Sequence, residues 1–214
     1  MMSIDVPGLR PLFAEWAQVM HENKPLLTEL DSVAGDGDLG LTMSDGFAAA
    51  AQYAQQSDER DIGKFCYMAG KAMASAVPST MGTLMASGLM QVGKTFKGRE
   101  TIGLDDAGRF FQAWYDGVQQ RGKAQPGEKT FLDGLGPALM VLTTPGAPLT
   151  QAREALWQAQ WGVQQTTTMV AQHGRAAIHG ERSRTFTDPG AMVARLLIQG
   201  YANFVQAIDP LNGQ

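Results

Sequence analysis

Apolar side chains recur every three or four residues in stretch after stretch of this chain, and strand-like alternation is scarce. This pattern limits the fold more than any other, because helical stripes can be buried only by packing helix on helix. Leu12, Phe13, Trp16, Val19 and Met20 form one stripe, which Asn23, Lys24 and Pro25 bring to a stop. Phe47, Ala48, Ala51 and Ala54 form a second, and Phe65, Met68, Ala69, Ala72, Met73 and Ala76 form a third that ends at Pro78. Further helical stretches cover 81–92, 104–120, 132–142, 149–168 and 191–208, about eight helices in all. The expected fold class is all-α, and the Met and aromatic stripes are core packing.

With 214 residues and no linker-like stretch, the expectation is a single domain over 1–214 with a full core. A hydrophobic content of 44% and a charged content of 18% fit a soluble globular chain. The net charge of -4, with no basic run, argues against nucleic acid as a partner. No stretch of about 18 apolar residues occurs and the start has no basic-then-apolar leader, so neither membrane nor export is expected. The single cysteine, Cys66, lies in an apolar helical stretch and reads as a reduced core residue, which points to the cytoplasm.

Against this background Asp31-Ser-Val-Ala-Gly35-Asp36-Gly37-Asp38-Leu39-Gly40 stands out. Three carboxylates so close together repel one another unless a cation neutralises them, and glycines at 35, 37 and 40 let the backbone turn and approach a ligand. The chemistry points to Mg2+ serving the phosphates of a nucleotide. A solvated acidic turn is the plain alternative. An EF-hand starting at Asp36 would need Glu at its twelfth position, where Phe47 stands.

Two glycine patterns fit better-known motifs on spacing alone. Gly35-Asp-Gly37-Asp-Leu-Gly40 matches a dinucleotide fingerprint, but residues 26–30 make a poor buried strand and the two aspartates would repel pyrophosphate. Gly88-Leu-Met-Gln-Val-Gly93-Lys94-Thr95 matches a P-loop. A phosphate loop would expose Leu89, Met90 and Val92, whereas one apolar helix over 81–92 buries them and leaves Lys94 at its C-terminal end.

Three other loops carry chemistry. Arg121-Gly122-Lys123-Ala-Gln-Pro-Gly127-Glu-Lys129-Thr130 gathers three cations and a hydroxyl, suited to phosphate or ribose and equally to a basic helix end with a solvated turn. His173-Gly174-Arg175, followed by His179-Gly180-Glu-Arg-Ser183, could bring a guanidinium onto a polyphosphate. Asp188-Pro189-Gly190 reads as an N-cap with proline at the first helical position.

In this order, Asp31 with Gly35-Asp-Gly-Asp38, Arg121-Gly-Lys-Ala-Gln-Pro-Gly-Glu-Lys-Thr130, Gly174-Arg-Ala, Gly180-Glu-Arg-Ser183 and Asp188-Pro-Gly-Ala191 resemble the nucleotide-binding subunit of dihydroxyacetone kinase, the DhaL or DAK2-domain family. The resemblance runs over almost the whole chain. It implies an antiparallel barrel of eight helices holding ADP or ATP and two Mg2+ ions at one end. It further implies that Asp31, Asp36 and Asp38 are the metal ligands and that Arg175 meets phosphate. Leu39, Gly40, Thr42, Ser79, Thr80, Met81, Gly82, Gly122, Thr130, Phe131, Asp188 and Gly190 then line the nucleotide.

The chain departs from the family where a Gly-Gly-x-Ser-Gly stretch is usual. Here Pro78-Ser79-Thr80-Met81-Gly82 stands, so Ser79 and Thr80 have to supply hydroxyls and amides. Leu39 replaces a frequent His, and Thr42 an Asn. The resemblance also implies a separate sugar-binding, DhaK-like subunit and a DhaM-like phosphotransferase-system donor that recharges bound ADP. An ATP-dependent subunit of a related sugar kinase, a non-catalytic regulator and a P-loop NTPase are the other classes this sequence allows.

Overall fold

The computed structural model describes residues 3–208. Among them nine α-helices account for most of the chain: α1 (Val6–Glu22), α2 (Lys24–Ala34), α3 (Leu39–Gln56), α4 (Ile62–Ala76), α5 (Thr80–Thr95), α6 (Ala107–Gly122), α7 (Phe131–Leu142), α8 (Pro148–Gln165) and α9 (Pro189–Ile208). Two-residue strands β1 (Ser3–Ile4) and β2 (Ile102–Gly103) pair antiparallel. Residues 1–2 and 209–214 of the expected domain lie outside the described residues.

Eight of the nine helices coincide with the stripes read from the sequence. The ninth, α2, occupies 24–34, where the sequence reading saw only a stop at Pro25 and a poor strand. Pro25 falls within the first two helical positions of α2, where the missing N–H costs nothing, so one proline both follows α1 and opens the next helix. Its stripe escapes notice because only Leu27 and Ala34 are buried along its length.

Sequential helices pack side by side from α3 to α9, and α9 returns against α1, which packs on α3, so the ring closes into a barrel. Aromatic side chains fill it. Trp16 meets Phe13 and Trp114 edge-on at 5.3 and 5.4 Å between ring centroids, and Phe47 stacks with Trp114. The glycines of the P-loop-like segment lie inside α5, with Leu89 and Val92 buried. A Cβ on Gly93 would stand 2.6 Å from the carbonyl oxygen of Gly63, so this glycine serves close α4–α5 packing and no phosphate loop exists here.

Because neighbouring helices alternate in direction, α3, α5, α7 and α9 all begin at one end of the barrel. The turns 35–38, 77–79 and 123–130 and the long connection 166–188 therefore gather there. β1, β2 and residues 57–61 lie at the other end, where Arg10 donates to the Ser57 carbonyl.

Candidate active site

The aspartate turn owes its shape to local chemistry. The Gly35 amide donates to the Asp31 carbonyl at 2.5 Å as α2 ends, and Gly37 takes φ +77°, a left-handed conformation that glycine adopts without steric cost. A Cβ at Gly37 would also stand 2.6 Å from Ser32 Oγ. Asp31 sits on the last turn of α2, Asp38 at the N-cap of α3, and Asp36 between them. Asp31 Oδ2 accepts the Leu39 amide at 3.1 Å, which ties the two helix ends together.

One carboxylate oxygen from each of Asp31, Asp36 and Asp38 lies within 4.8 Å of the others. At that spacing each pair repels by on the order of 1 kcal/mol in water, and by more as the dielectric falls. Burial, then Asp36 and Asp31, push the Asp38 carboxyl above the ordinary carboxylate value, and only Arg175 opposes them. Arg175 supplies part of the missing cation: its Nη2 lies 2.7 Å from Asp36 Oδ2. The arginine is 64% exposed and Asp36 38%, so both can turn to an incoming ligand. An all-oxygen, three-carboxylate set open to solvent fits a hard divalent cation that keeps some of its water, as Mg2+ does.

The connection carrying Arg175 leaves α8 by a 3-10 turn (Thr166–Thr168) and forms an 11-residue 3-10 stretch (Arg175–Thr185), bent at Gly180. Ala171 and Ala176, with Phe186 against them, bury onto Ala34 of α2, which holds Arg175 beside the aspartate turn. The Ser183 hydroxyl accepts the Ala171 amide at 2.8 Å and donates to the Gly180 carbonyl at 2.6 Å, closing the stretch on itself.

The other expected site residues group at the same end. Ser79 caps α5, its hydroxyl accepting the Gly82 amide at 3.0 Å, while Thr80 is exposed and Met81 half-buried. Gly122 ends α6, where its Cβ would meet Leu84 of α5 at 3.1 Å. Thr130 caps α7 in a capping box with Asp133, which accepts the amides of Thr130 at 2.8 Å and Gly127 at 2.6 Å. Asp188 caps α9 by accepting the Ala191 amide at 2.7 Å, as its Asp-Pro-Gly sequence predicts. A Cβ on Gly190 would stand 3.2 Å from the Phe131 amide, so the starts of α7 and α9 touch. Leu39, Gly40 and Thr42 are buried in the first turn of α3.

Lys129, Asp133 and the His173–Glu128 pair depart from the sequence reading. Lys129, read as a cation for phosphate, is 2% exposed; its Nζ donates to the carbonyls of Thr166 at 2.5 Å and Phe186 at 2.6 Å. Burial lowers its ammonium pKa, and Asp188 partly restores it. Asp188 is itself buried, which pushes its carboxyl up to about 7 against the pull of the Ala191 amide and Lys129. Asp133 was missed, although the Thr130-x-x-Asp133 spacing of a capping box could have shown it. His173 Nε2 lies 2.5 Å from Glu128 Oε2, a pairing of two loops that no local pattern announces.

The class defined by fold and site is a closed helical barrel with three converging carboxylates and an exposed arginine at one end, a set suited to a hard cation and an anion. The chain belongs to the DAK2-domain family, whose model matches residues 33–203. It is 32% identical over 177 residues to the ADP-binding subunit DhaL of the PEP-dependent dihydroxyacetone kinase of Escherichia coli K12, covering 81% of this chain and 84% of that subunit. A Listeria innocua ADP-binding subunit DhaL is 31% identical over 183 residues, covering 86% of this chain and 88% of that one. The L-erythrulose 1-kinase of Mycolicibacterium smegmatis is 34% identical over 191 residues, which are 85% of this chain but 33% of that enzyme. The native dihydroxyacetone kinase of C. freundii superposes with a TM-score of 0.69 at 20% identity, covering 92% of this chain and 34% of that one, and so shares the fold. The chain thus spans most of the separate DhaL subunits and about a third of the longer kinases it matches. Among the described residues no helix is long and apolar enough to cross a membrane.

Proposed function

We propose that this chain is the nucleotide-binding, phosphoryl-transfer subunit of a dihydroxyacetone-type kinase, with 1–214 acting as one domain. The observation that carries the reading is the convergence of Asp31, Asp36 and Asp38 on one point, with Arg175 already paired to Asp36. The relatives support the ligand: two are named ADP-binding subunits, and a C. freundii kinase of the same fold was solved with AMP-PNP and Mg2+.

In this reading the three aspartates hold Mg2+, two ions on the family pattern, which would offset negative charge on the phosphates of ADP or ATP. Arg175 would exchange its pairing with Asp36 for a phosphate oxygen and stabilise charge as the phosphoryl group moves. Amides and hydroxyls at the starts of α5, α7 and α9 would hold the nucleotide, with Ser79, Thr80, Met81 and Gly82 on one side and Gly122, Thr130, Phe131, Asp188 and Gly190 on the other. Leu39, Gly40 and Thr42 would contribute backbone at the start of α3.

The sugar would be presented by a DhaK-like subunit whose base takes the proton of the accepting hydroxyl. Val33, Leu41 and Ile178, the last 85% exposed, stand on the elements that carry the site and suit such a partner. A DhaM-like phosphoprotein would return the phosphoryl group to bound ADP, and the cytoplasm supplies every component. The M. smegmatis relative, an L-erythrulose 1-kinase, favours an erythrulose-type acceptor, and in this second reading ATP would be the direct donor.

Reconstitution separates these readings. The chain is mixed with a DhaK-like subunit and dihydroxyacetone or erythrulose, and sugar phosphate is measured with either ATP or phosphoenolpyruvate plus the phosphotransferase proteins. Product from phosphoenolpyruvate with catalytic ADP is expected. Product only from stoichiometric ATP selects the second reading, and no product from either donor contradicts both.

A further inference from the structure

We propose that Lys129 is a positioning residue that sets the nucleotide end of the barrel without touching the nucleotide, an inference that rests on the nucleotide-binding reading above. Three observations place it in that role. Among the described residues the non-glycine positions with positive φ are Lys123 and Lys129, at 60° and 64°. Lys123 is an exposed left-handed cap at the end of α6, an ordinary place for such a residue. Lys129 takes the same unfavourable backbone inside a turn, with its side chain driven inward, and a strained, buried position of this kind persists only where its surroundings over-determine it.

The surroundings do so. The ammonium donates to the Thr166 carbonyl at 2.5 Å and the Phe186 carbonyl at 2.6 Å and lies 5.0 Å from the centroid of the Phe186 ring. Thr166 works in both directions, since its hydroxyl accepts the Asp188 amide at 3.0 Å and donates to the Val163 carbonyl at 2.6 Å. One cation therefore joins the turn before α7, the end of α8 and the segment leading into α9.

Two of those segments, the turn before α7 and the stretch into α9, carry expected nucleotide contacts. Thr130 and Phe131 follow Lys129 directly, and Asp188 and Gly190 follow Phe186, with Gly190 close against the Phe131 amide. An apolar side chain in place of the ammonium leaves the buried Phe186 carbonyl without a donor, leaves the Thr166 carbonyl with the Met169 amide alone at 3.2 Å, and frees the start of α7 to shift against the start of α9. The aspartates, from the end of α2 through the turn to the start of α3, bond to Leu39 and Arg175 and to none of these three segments.

The test titrates Mg2+-ADP, and separately Mn2+ alone, into the wild-type protein, Lys129→Met and Thr166→Val, with amide hydrogen exchange followed on each. Lys129→Met is expected to bind Mg2+-ADP about ten-fold or more weaker. Its Mn2+ uptake should stay within about two-fold of wild type, while exchange quickens at 130–134 and 188–192. Thr166→Val should move in the same direction, and the double variant should lose no more than the worse single one, as members of one network do. Undiminished Mg2+-ADP affinity in Lys129→Met overturns the inference alone. So does parallel loss of Mn2+ uptake and cooperative unfolding, which marks a merely structural lysine. Should Lys129→Met fail to fold, unchanged affinity in Thr166→Val overturns it instead. Wild-type protein that takes up no Mg2+-ADP overturns this inference together with the reading it rests on.

Discussion

Asp31, Asp36 and Asp38 are the residues whose chemistry is written most directly in the sequence, because they fall within eight consecutive residues and a glycine at +77° brings them together with little help from the rest of the chain. Asp36→Ala is expected to abolish measurable Mn2+ binding while leaving the unfolding midpoint unchanged or slightly higher, since it removes a repulsive charge; paramagnetic titration with thermal unfolding checks both. Asp188 gives a prediction of the opposite kind. Burial pushes its carboxyl from 3.8 up to about 7, so the folded chain keeps a proton that the unfolded chain releases. The stability this group contributes is full below about pH 4 and is lost as pH rises through about 7. Asp188→Asn keeps an oxygen for the Ala191 amide and does not titrate. Its stability relative to wild type should rise by a few kcal/mol between pH 4 and 8 and then level off, as denaturant melts across that range would show. Lys129 was not legible: a lysine between Glu and Thr in a glycine-bearing loop looks solvated, and only the approach of Thr166 and Phe186, 37 and 57 residues away, buries it.

At the scale of elements, what sequence revealed followed the strength of local patterning. Stripes of large apolar residues gave eight helices, and Asp188-Pro-Gly gave a helix start, because in these cases the deciding contacts lie within one turn. Helix α2 escaped because it buries only two residues and serves mainly to carry Asp31 to the rim. The turn it leads into should be sensitive to backbone changes. Gly37→Ala forces a left-handed conformation on a residue that resists it and brings a methyl group against Ser32 Oγ. It should cost roughly 1–2 kcal/mol of stability and weaken Mn2+ binding together, measurable by denaturant melts and metal titration. Ser79→Ala removes the α5 cap and should cost about 1 kcal/mol in the same melts.

For the whole molecule, closure of the ring through α1 and α9 leaves one end where four helices start and the aspartate cluster sits. Residue patterning alone does not reveal that geometry, since it depends on the alternating direction of helices and on α9 meeting α1 across the length of the chain; the antiparallel barrel is legible in the sequence only through the family resemblance. It makes ligand binding and global stability one problem. Saturation with Mg2+-ADP at about 100 times its dissociation constant should add about 2.7 kcal/mol. The unfolding midpoint should then rise by roughly 5–10 °C for a chain of this size, and ADP with EDTA should give little or none of that rise. The measurement that tests the central claim most directly is native mass spectrometry of freshly purified protein, before and after EDTA and nucleotide exchange, alongside Asp36→Ala. ADP with Mg2+ bound to wild type, lost on chelation and absent from Asp36→Ala, is the predicted result. Wild-type protein that carries no nucleotide and takes up neither Mg2+-ADP nor Mg2+-ATP would contradict the account.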